Sequence, residues 1–332
     1  MALIDIKNLC INLRTEIGWV KICEGLDLSI NEGEILGLVG SSGSGKSIIA
    51  KALIGMYDSS INVSFDSYRF ADTELINLTP RERQKFIGEN IALILQEAKL
   101  SLDPSLPIIT QMKKALPNRL FEGPWYKFFF WKKRAVNNLL HKVGIKDTKK
   151  IMRAYPNELS DVLCQKIIIA IAFGRKPKLI IADDPISSMT SVSELQILRL
   201  ISSFNKNNKA TFLFITNNMS SSANLMTRIN MFYCGQIVEE GPTEQIIKKP
   251  KHPFTESMIN AIPDPNHKLC HKAKLSVLAG DAPECTNVPI GCRLGPRCPY
   301  ADKKCNIMPQ LTKLKNSSYR CHFPLNMEDN ND

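Results

Sequence analysis

The segment Gly40-Ser41-Ser42-Gly43-Ser44-Gly45-Lys46-Ser47 fits the spacing G-x-x-x-x-G-K-[ST]. Glycines at those places let backbone N–H groups curl around phosphate oxygens. Lys46 reaches the β- and γ-phosphates, and the Ser47 hydroxyl can ligate Mg²⁺. A helix starting near Lys46 adds the positive end of its dipole. An apolar strand, Glu34 to Val39, runs into the loop, and this strand–loop–helix context separates a phosphate loop from a fortuitous Gly-rich turn. A second group is Leu179-Ile180-Ile181-Ala182-Asp183-Asp184-Pro185. A buried strand ending in Asp183 puts a carboxylate at the carboxyl edge of a sheet, where ligands collect, and Asp183 would hold Mg²⁺ through water. Alone, the Asp pair reads as the solvated end of a core strand; the phosphate loop upstream reverses that reading.

The third group is sulfur. The chain has 10 cysteines. Cys292, Cys298, Cys305 and Cys321 are spaced C-x5-C-x6-C-x15-C. Four thiolates this close can ligate a [4Fe–4S] cluster or Zn²⁺. Structural zinc prefers tighter pairs, so the wide spacing tilts toward a cluster; free thiols in a loop domain are the bland alternative. Cys285 is a spare. In a reducing compartment structural disulfides are not expected.

The elements that must position these groups come next. Short β segments fill residues 1–40, and Ile91–Leu95, Leu179–Ala182 and Phe212–Ile215 read as buried strands too short to be helices. Strands alternating with helical stretches predict an α/β fold with a mainly parallel sheet and helices on both faces. Residues 97–160 are Lys-rich, partly aromatic and helical in pattern, which marks an inserted helical subdomain. Beyond Pro250 the chain turns rich in Pro, Cys and Gly. The expected division is therefore 1–250, containing 97–160, followed by a small Cys-rich extension over 251–332. The chain has 332 residues, 44% of them apolar. It contains no run of about 18 apolar residues, so no membrane span is expected. No signal peptide is read at Met1–Ile6, and a cytoplasmic location is expected. The net charge of +11 fits an anionic leaflet or nucleic acid, and neither is assigned from charge alone. The segment 121–134 mixes aromatic and basic residues. It reads either as a docking surface for a membrane protein or lipid headgroups, or as a buried aromatic helix with a solvated basic end. No recognition helix or RNA-binding module accompanies it, so nucleic acid is not expected as a partner.

Together these motifs resemble the ATPase subunits of ABC transporters, a P-loop NTPase family. Gln96 closes its strand as the family's Q-loop glutamine does, and Leu159-Ser160-Asp161-Val162-Leu163-Cys164-Gln165-Lys166 falls where the family's signature lies. Gly235 to Gly241 matches the strand after the switch region. The tail motifs His252-Pro253-Phe254-Thr255, Ala261-Ile262-Pro263 and Pro289 to Pro299 resemble oligopeptide-type importers. Residues 121–134 and Cys321 to Glu328 narrow this to the Sap type of peptide transporter. The resemblance implies ATP and Mg²⁺ as ligands, with Ser47, Gln96 and Asp183 on the metal, Trp19 stacked on adenine and Ser160 on a partner's nucleotide. Trp19 reads equally as a half-buried strand residue. It also implies a [4Fe–4S] cluster in the tail, with Zn²⁺ as the alternative. The implied assembly is a heterodimer with a paralogous ATPase, two permease subunits and a periplasmic peptide-binding protein. That assembly would place the chain peripherally on the cytoplasmic side of the inner membrane.

Several positions depart from the family. The catalytic glutamate is replaced by Asp184, one methylene shorter, and a general base must lie within hydrogen-bond reach of its proton. The switch histidine is replaced by Asn217, which donates a hydrogen bond but carries no proton or charge. Asp161 and Val162 stand where signature glycines let backbone N–H groups approach phosphate. Thr190 stands where an aspartate is common. Slow hydrolysis is favoured over ordinary turnover. A regulatory nucleotide-binding subunit with little ATPase activity, for example in potassium uptake, is the alternative.

Overall fold

Residues 2–15 and 18–31 are long enough to pair along their whole length, with register shifts that break their alternation. They form β1 (Ala2–Thr15) and β2 (Gly18–Asn31), an antiparallel hairpin from Ala2↔Asn31 to Thr15↔Gly18. The computed structural model describes residues 2–16, 18–187, 189–262, 278–284 and 287–327. Cys270 and Cys285, with Pro263 and Glu328 of the tail motifs, lie outside the described residues. The chain divides into two units, one of residues 1–83 with 213–332 and the other of 84–212.

In the first unit, β3 (Ile35–Gly40) is buried at every position and leads through the phosphate loop into α1 (Lys46–Ile54). Short strands β4 (Ile61–Ser64), β5 (Ser67–Phe70) and β6 (Thr73–Glu74) follow. Both β4 and β5 pair antiparallel with β1, giving a sheet ordered β2-β1-β5-β6 with β4 beside β1. The inward residues Ile4, Ile6, Leu9, Ile11, Leu28, Tyr68 and Phe70 form its core. The expectation of short β segments undercounts this antiparallel sheet. Helix α2 (Pro80–Asn90) carries the chain into the second unit. It opens on a capping box: Thr79 N donates to Glu82 Oε2 at 3.0 Å, and Glu82 N to Thr79 Oγ1 at 3.4 Å.

The second unit holds a parallel pair, β7 (Ile91–Ile94) and β8 (Leu179–Asp183), in register from Ile91↔Leu179 to Ile94↔Ala182. Between them run α3 (Ile108–Ala115), α4 (Phe128–Lys142), α5 (Thr148–Arg153) and α6 (Asp161–Gly174). After them comes α7 (Ser191–Asn208). Helix α6 is apolar nearly all round, as a helix buried on most faces must be. Phe173 of α6 stacks on Phe204 of α7 with ring centroids 3.6 Å apart.

The chain then forms β9 (Thr211–Thr216), α8 (Met219–Ser222), β10 (Arg228–Tyr233), β11 (Gln236–Pro242), α9 (Thr243–Lys248) and α10 (Pro253–Asn260). Two short strands, β12 (Thr312–Lys313) and β13 (Ser318–Tyr319), complete it. In the first unit the order is β12-β13-β11-β10-β3-β9. β10 lies parallel to β3, while β11 and β13 are antiparallel additions. The Cys-bearing tail is thus tied to the sheet through Glu239↔Tyr319. No described helix is long and apolar enough to cross a membrane.

Candidate functional site

The phosphate loop follows directly from β3. Gly40 packs so closely on β10 that a Cβ there would fall 2.0 Å from the Phe232 carbonyl oxygen. Gly45 caps α1 at φ +102°, a left-handed conformation that penalises any side chain, and its Cβ would meet Ile22 at 2.9 Å. Lys46 is 8% exposed. Its ammonium donates to the carbonyl oxygens of Gly40 at 2.9 Å and Ser41 at 2.6 Å, and to Ser44 Oγ at 3.2 Å. The Ser44 hydroxyl donates in turn to the Ser41 carbonyl at 2.8 Å. These bonds hold the loop curled, with its acceptors turned toward the lysine. Ser42, Gly43 and Ser47 lie on the exposed side of the curl. The buried Ser41 hydroxyl has no hydrogen-bond partner among the described residues.

The same unit holds Asn217 just past β9, exposed. Its neighbour Asn218 is committed elsewhere: Asn218 Oδ1 caps α8 by accepting from Ser220 N at 3.0 Å and from the Ser220 hydroxyl at 2.6 Å. The two asparagines therefore separate into a structural cap and an exposed amide. Trp19 is 54% exposed on β2, opposite Arg14, with most of its ring area open.

In the second unit Asp183 ends β8 and Asp184 follows it, 4% and 8% exposed. Asp184 has φ +45°, and a turn follows in which the Ser187 hydroxyl donates to the Asp184 carbonyl at 3.2 Å. A groove of about 580 Å³ brings Gln96 together with Asp161 and Gln165 of α6 and with Pro185 and Ser187 of that turn. Ser160 caps α6, its hydroxyl accepting from Leu163 N at 3.4 Å. Asp161, in the first turn and exposed, lies 3.8 Å from the ammonium of the partly exposed Lys99. Gln165 received no role in the sequence reading. It is 1% exposed, and its Nε2 lacks a hydrogen-bond partner among the described residues. A buried amide donor left unsatisfied is uncommon in proteins. The only signal for it in the sequence was its place as the glutamine of the Leu159–Lys166 segment.

The four cysteines gather around one loop. Cys292 N donates to the Cys305 carbonyl at 2.8 Å, and Cys298 N to that of Gly295 at 3.3 Å. A Cβ on Gly295 would lie 3.8 Å from Cys292 Cβ and 3.9 Å from Cys305 Cβ. Burial raises the thiols of Cys292 and Cys298, and raises Cys321 to about 11; the neighbouring thiols of the quartet add to each shift. As placed, no three His, Cys, Asp or Glu side chains among the described residues form a group able to hold a metal ion.

Buried His252 opens α10, its Nδ1 accepting from Phe254 N at 3.1 Å. Glu239 of β11 accepts from the backbone N–H groups of Lys251 at 2.7 Å and His252 at 2.9 Å. The His-Pro-Phe motif is therefore a helix start docked on a buried carboxylate.

A family model described as "ABC transporter" matches residues 23–187, and one described as "Oligopeptide/dipeptide transporter, C-terminal region" matches 238–305. The chain is 46% identical over 328 residues to the peptide transport system ATP-binding protein SapD of Salmonella typhimurium, covering 99% of both chains. It is 46% identical over 331 residues to SapD of Haemophilus influenzae, covering 100% of this chain and 95% of that one. It is 31% identical over 327 residues to the dipeptide transport ATP-binding protein DppD of Escherichia coli, covering 98% of both. An ATP-binding cassette solved as a dimer in a post-hydrolysis state with ADP and Pi superposes with a TM-score of 0.62 at 20% identity, over 72% of this chain and 98% of that one. That likeness bears on the fold alone.

Proposed function

Since the chain belongs to the ABC-transporter family, among its ATP-binding proteins, we propose that it is the ATP-binding and ATP-hydrolysing subunit of a peptide importer. The observation that carries this is its identity to SapD over nearly the full length of both chains, C-terminal region included. The names of these relatives refer to peptides and dipeptides, so the potassium-regulatory alternative is not favoured.

In this reading Gly40 to Ser47 bind the triphosphate, Lys46 exchanging loop carbonyls for β- and γ-phosphate oxygens. Ser47, Gln96 and Asp183 are assigned to Mg²⁺, which neutralises charge on the transferred phosphoryl group. Asp184 orients the attacking water as base, Asn217 donates to the γ-phosphate, and Trp19 stacks on the base. Ser160, at the start of α6, faces the nucleotide of a partner chain. Aspartate for glutamate and asparagine for histidine each weaken one positioned group, so hydrolysis is slow relative to binding. The partner is a paralogous ATPase, the pair works on two permease subunits fed by a periplasmic peptide-binding protein, and the location is the cytoplasmic face of the inner membrane. The ATPase body is residues 1–250, with 97–160 as its helical subdomain and 251–332 as the extension.

By donor chemistry, Cys292, Cys298 and Cys305, with Cys321 just past β13, are a set for a sulfur-ligated metal group, although as placed they do not form one. A [4Fe–4S] cluster takes its thiolates wider apart than a single ion does, which favours it over Zn²⁺ for this quartet. Cys292, Cys298, Cys305 and Cys321 would hold it, and it would tie the tail together structurally.

Co-expression with candidate permease subunits and affinity purification from membranes tests the assignment. ATP-dependent retention of the chain on the permease is expected. A chain that binds ATP yet never co-purifies with any permease would contradict the transporter role.

A further inference from the structure

We propose that the second unit carries a binding site for an amphiphilic carboxylate of the fatty-acid type, between α4, α6 and α7. One face of α4 presents Trp131, Ala135, Leu139 and Lys142 at helical spacing to a cavity of about 490 Å³. That volume lies within the range of small-molecule sites, which are mostly apolar with a few fixed polar groups. The far wall is the stacked pair Phe173 and Phe204, and Leu116 and Leu200 close the sides. Gly174 lets two wall leucines pack tightly against α6: a Cβ there would meet Leu139 at 2.6 Å and Leu116 at 2.9 Å.

Charge at the rim identifies the ligand's other end. Among the described residues, Lys142 of α4 and Lys176, just past α6, are the only charged ones that line the cavity, and no carboxylate does. The side chains of both lysines are exposed, and neither ammonium has a hydrogen-bond or ion-pair partner among the described residues. From α7 the rim adds only the neutral amides Asn207 and Asn208, whose Nδ2 groups already donate to Ser203 Oγ and the Phe204 carbonyl. A purely apolar guest would leave the two ammoniums unused, and a compact anion would leave the aromatic and leucine walls uncovered. An alkyl chain ending in a carboxylate satisfies both. The site is independent of the nucleotide chemistry proposed above.

Isothermal titration of the full-length protein with monomeric dodecanoate tests this. Saturable one-site binding is expected, with dodecyltrimethylammonium at least ~10-fold weaker because its head has the wrong charge. Ala135→Trp, which fills the cavity, should abolish dodecanoate binding while leaving ATP affinity unchanged. Ser203→Leu serves the same purpose if the tryptophan variant melts early. Lys142→Gln with Lys176→Gln should weaken dodecanoate ~10-fold and not weaken the trimethylammonium probe. Absence of saturable binding, equal affinity for the two heads, or full affinity in both filled variants would overturn the proposal. Sedimentation with phosphatidylglycerol vesicles in the absence of monomer binding would also overturn it, placing the lysines on a membrane surface instead.

Discussion

At the scale of single residues, nucleotide chemistry depends on how groups of the right type are held. Lys46 is buried and bonded to the loop it serves, so phosphate binding exchanges existing hydrogen bonds for charge-assisted ones. Asp184 is fixed at φ +45° at the end of a buried strand, while Asn217 is an exposed amide. A correctly placed acid–base group is typically worth ~10²–10⁴ in rate. Restoring Asp184→Glu and Asn217→His together, with the proposed partner ATPase present, should therefore raise the steady-state ATPase rate at least ~10-fold. An unchanged rate would remove the idea of a slow site. The phosphate loop and the Asp pair were legible in the sequence because their chemistry admits few residue types at fixed spacing. The division of labour between Asn217 and Asn218 was not, since it depends on which amide caps α8. The buried Nε2 of Gln165 was equally invisible, because burial is a property of the whole packed unit.

Among the elements, α10 offers the sharpest test. His252 is fully enclosed, and burial depresses it from 6.5 to about 3. The folded protein therefore keeps it neutral where the unfolded chain protonates. Its contribution to stability is full above pH 6.5 and is lost as pH falls toward about 3. Glu239, raised by burial, works in the opposite direction, since the folded state holds its proton more tightly than the unfolded chain does. His252→Asn keeps a side-chain acceptor at the cap and removes the titration. Between pH 6.5 and 5 the wild-type protein should lose about 2 kcal/mol more stability than this variant, measured by urea unfolding. Parallel pH profiles would show that His252 is not the titrating group. Truncating another cap, Ser160→Ala, should cost about 1 kcal/mol through the start of α6. The strands β3, β7, β8 and β9 were readable as short apolar runs. The β1–β2 hairpin read only as short segments, because register shifts between Ile6 and Leu9 and between Leu9 and Ile11 interrupt its alternation. Residues 97–107 fit the helical subdomain by composition but form turns, with α3 starting only at Ile108 after Pro107.

For the whole molecule, the α/β fold followed from the order of strands, phosphate loop and helices, its ABC type from the resemblance of Gln96, the Leu159–Lys166 segment and the tail motifs, and the nature of the tail rested on four cysteines. Anaerobically purified protein should be brown, with absorbance near about 400 nm that disappears in a Cys292→Ser, Cys298→Ser double variant. A colourless, zinc-loaded protein would refute the cluster and leave the ATPase assignment standing. The proposed transport function depends on the curled backbone and Lys46 gripping a triphosphate. Equilibrium ATP binding by the purified full-length protein, compared with a Lys46→Ala variant of equal melting temperature, tests that grip most directly. Loss of the charge-assisted hydrogen bonds to phosphate should weaken ATP ~100-fold or more, equivalent to about 3 kcal/mol. Equal ATP affinity in the two proteins, or no ATP binding by the wild type, would contradict the account.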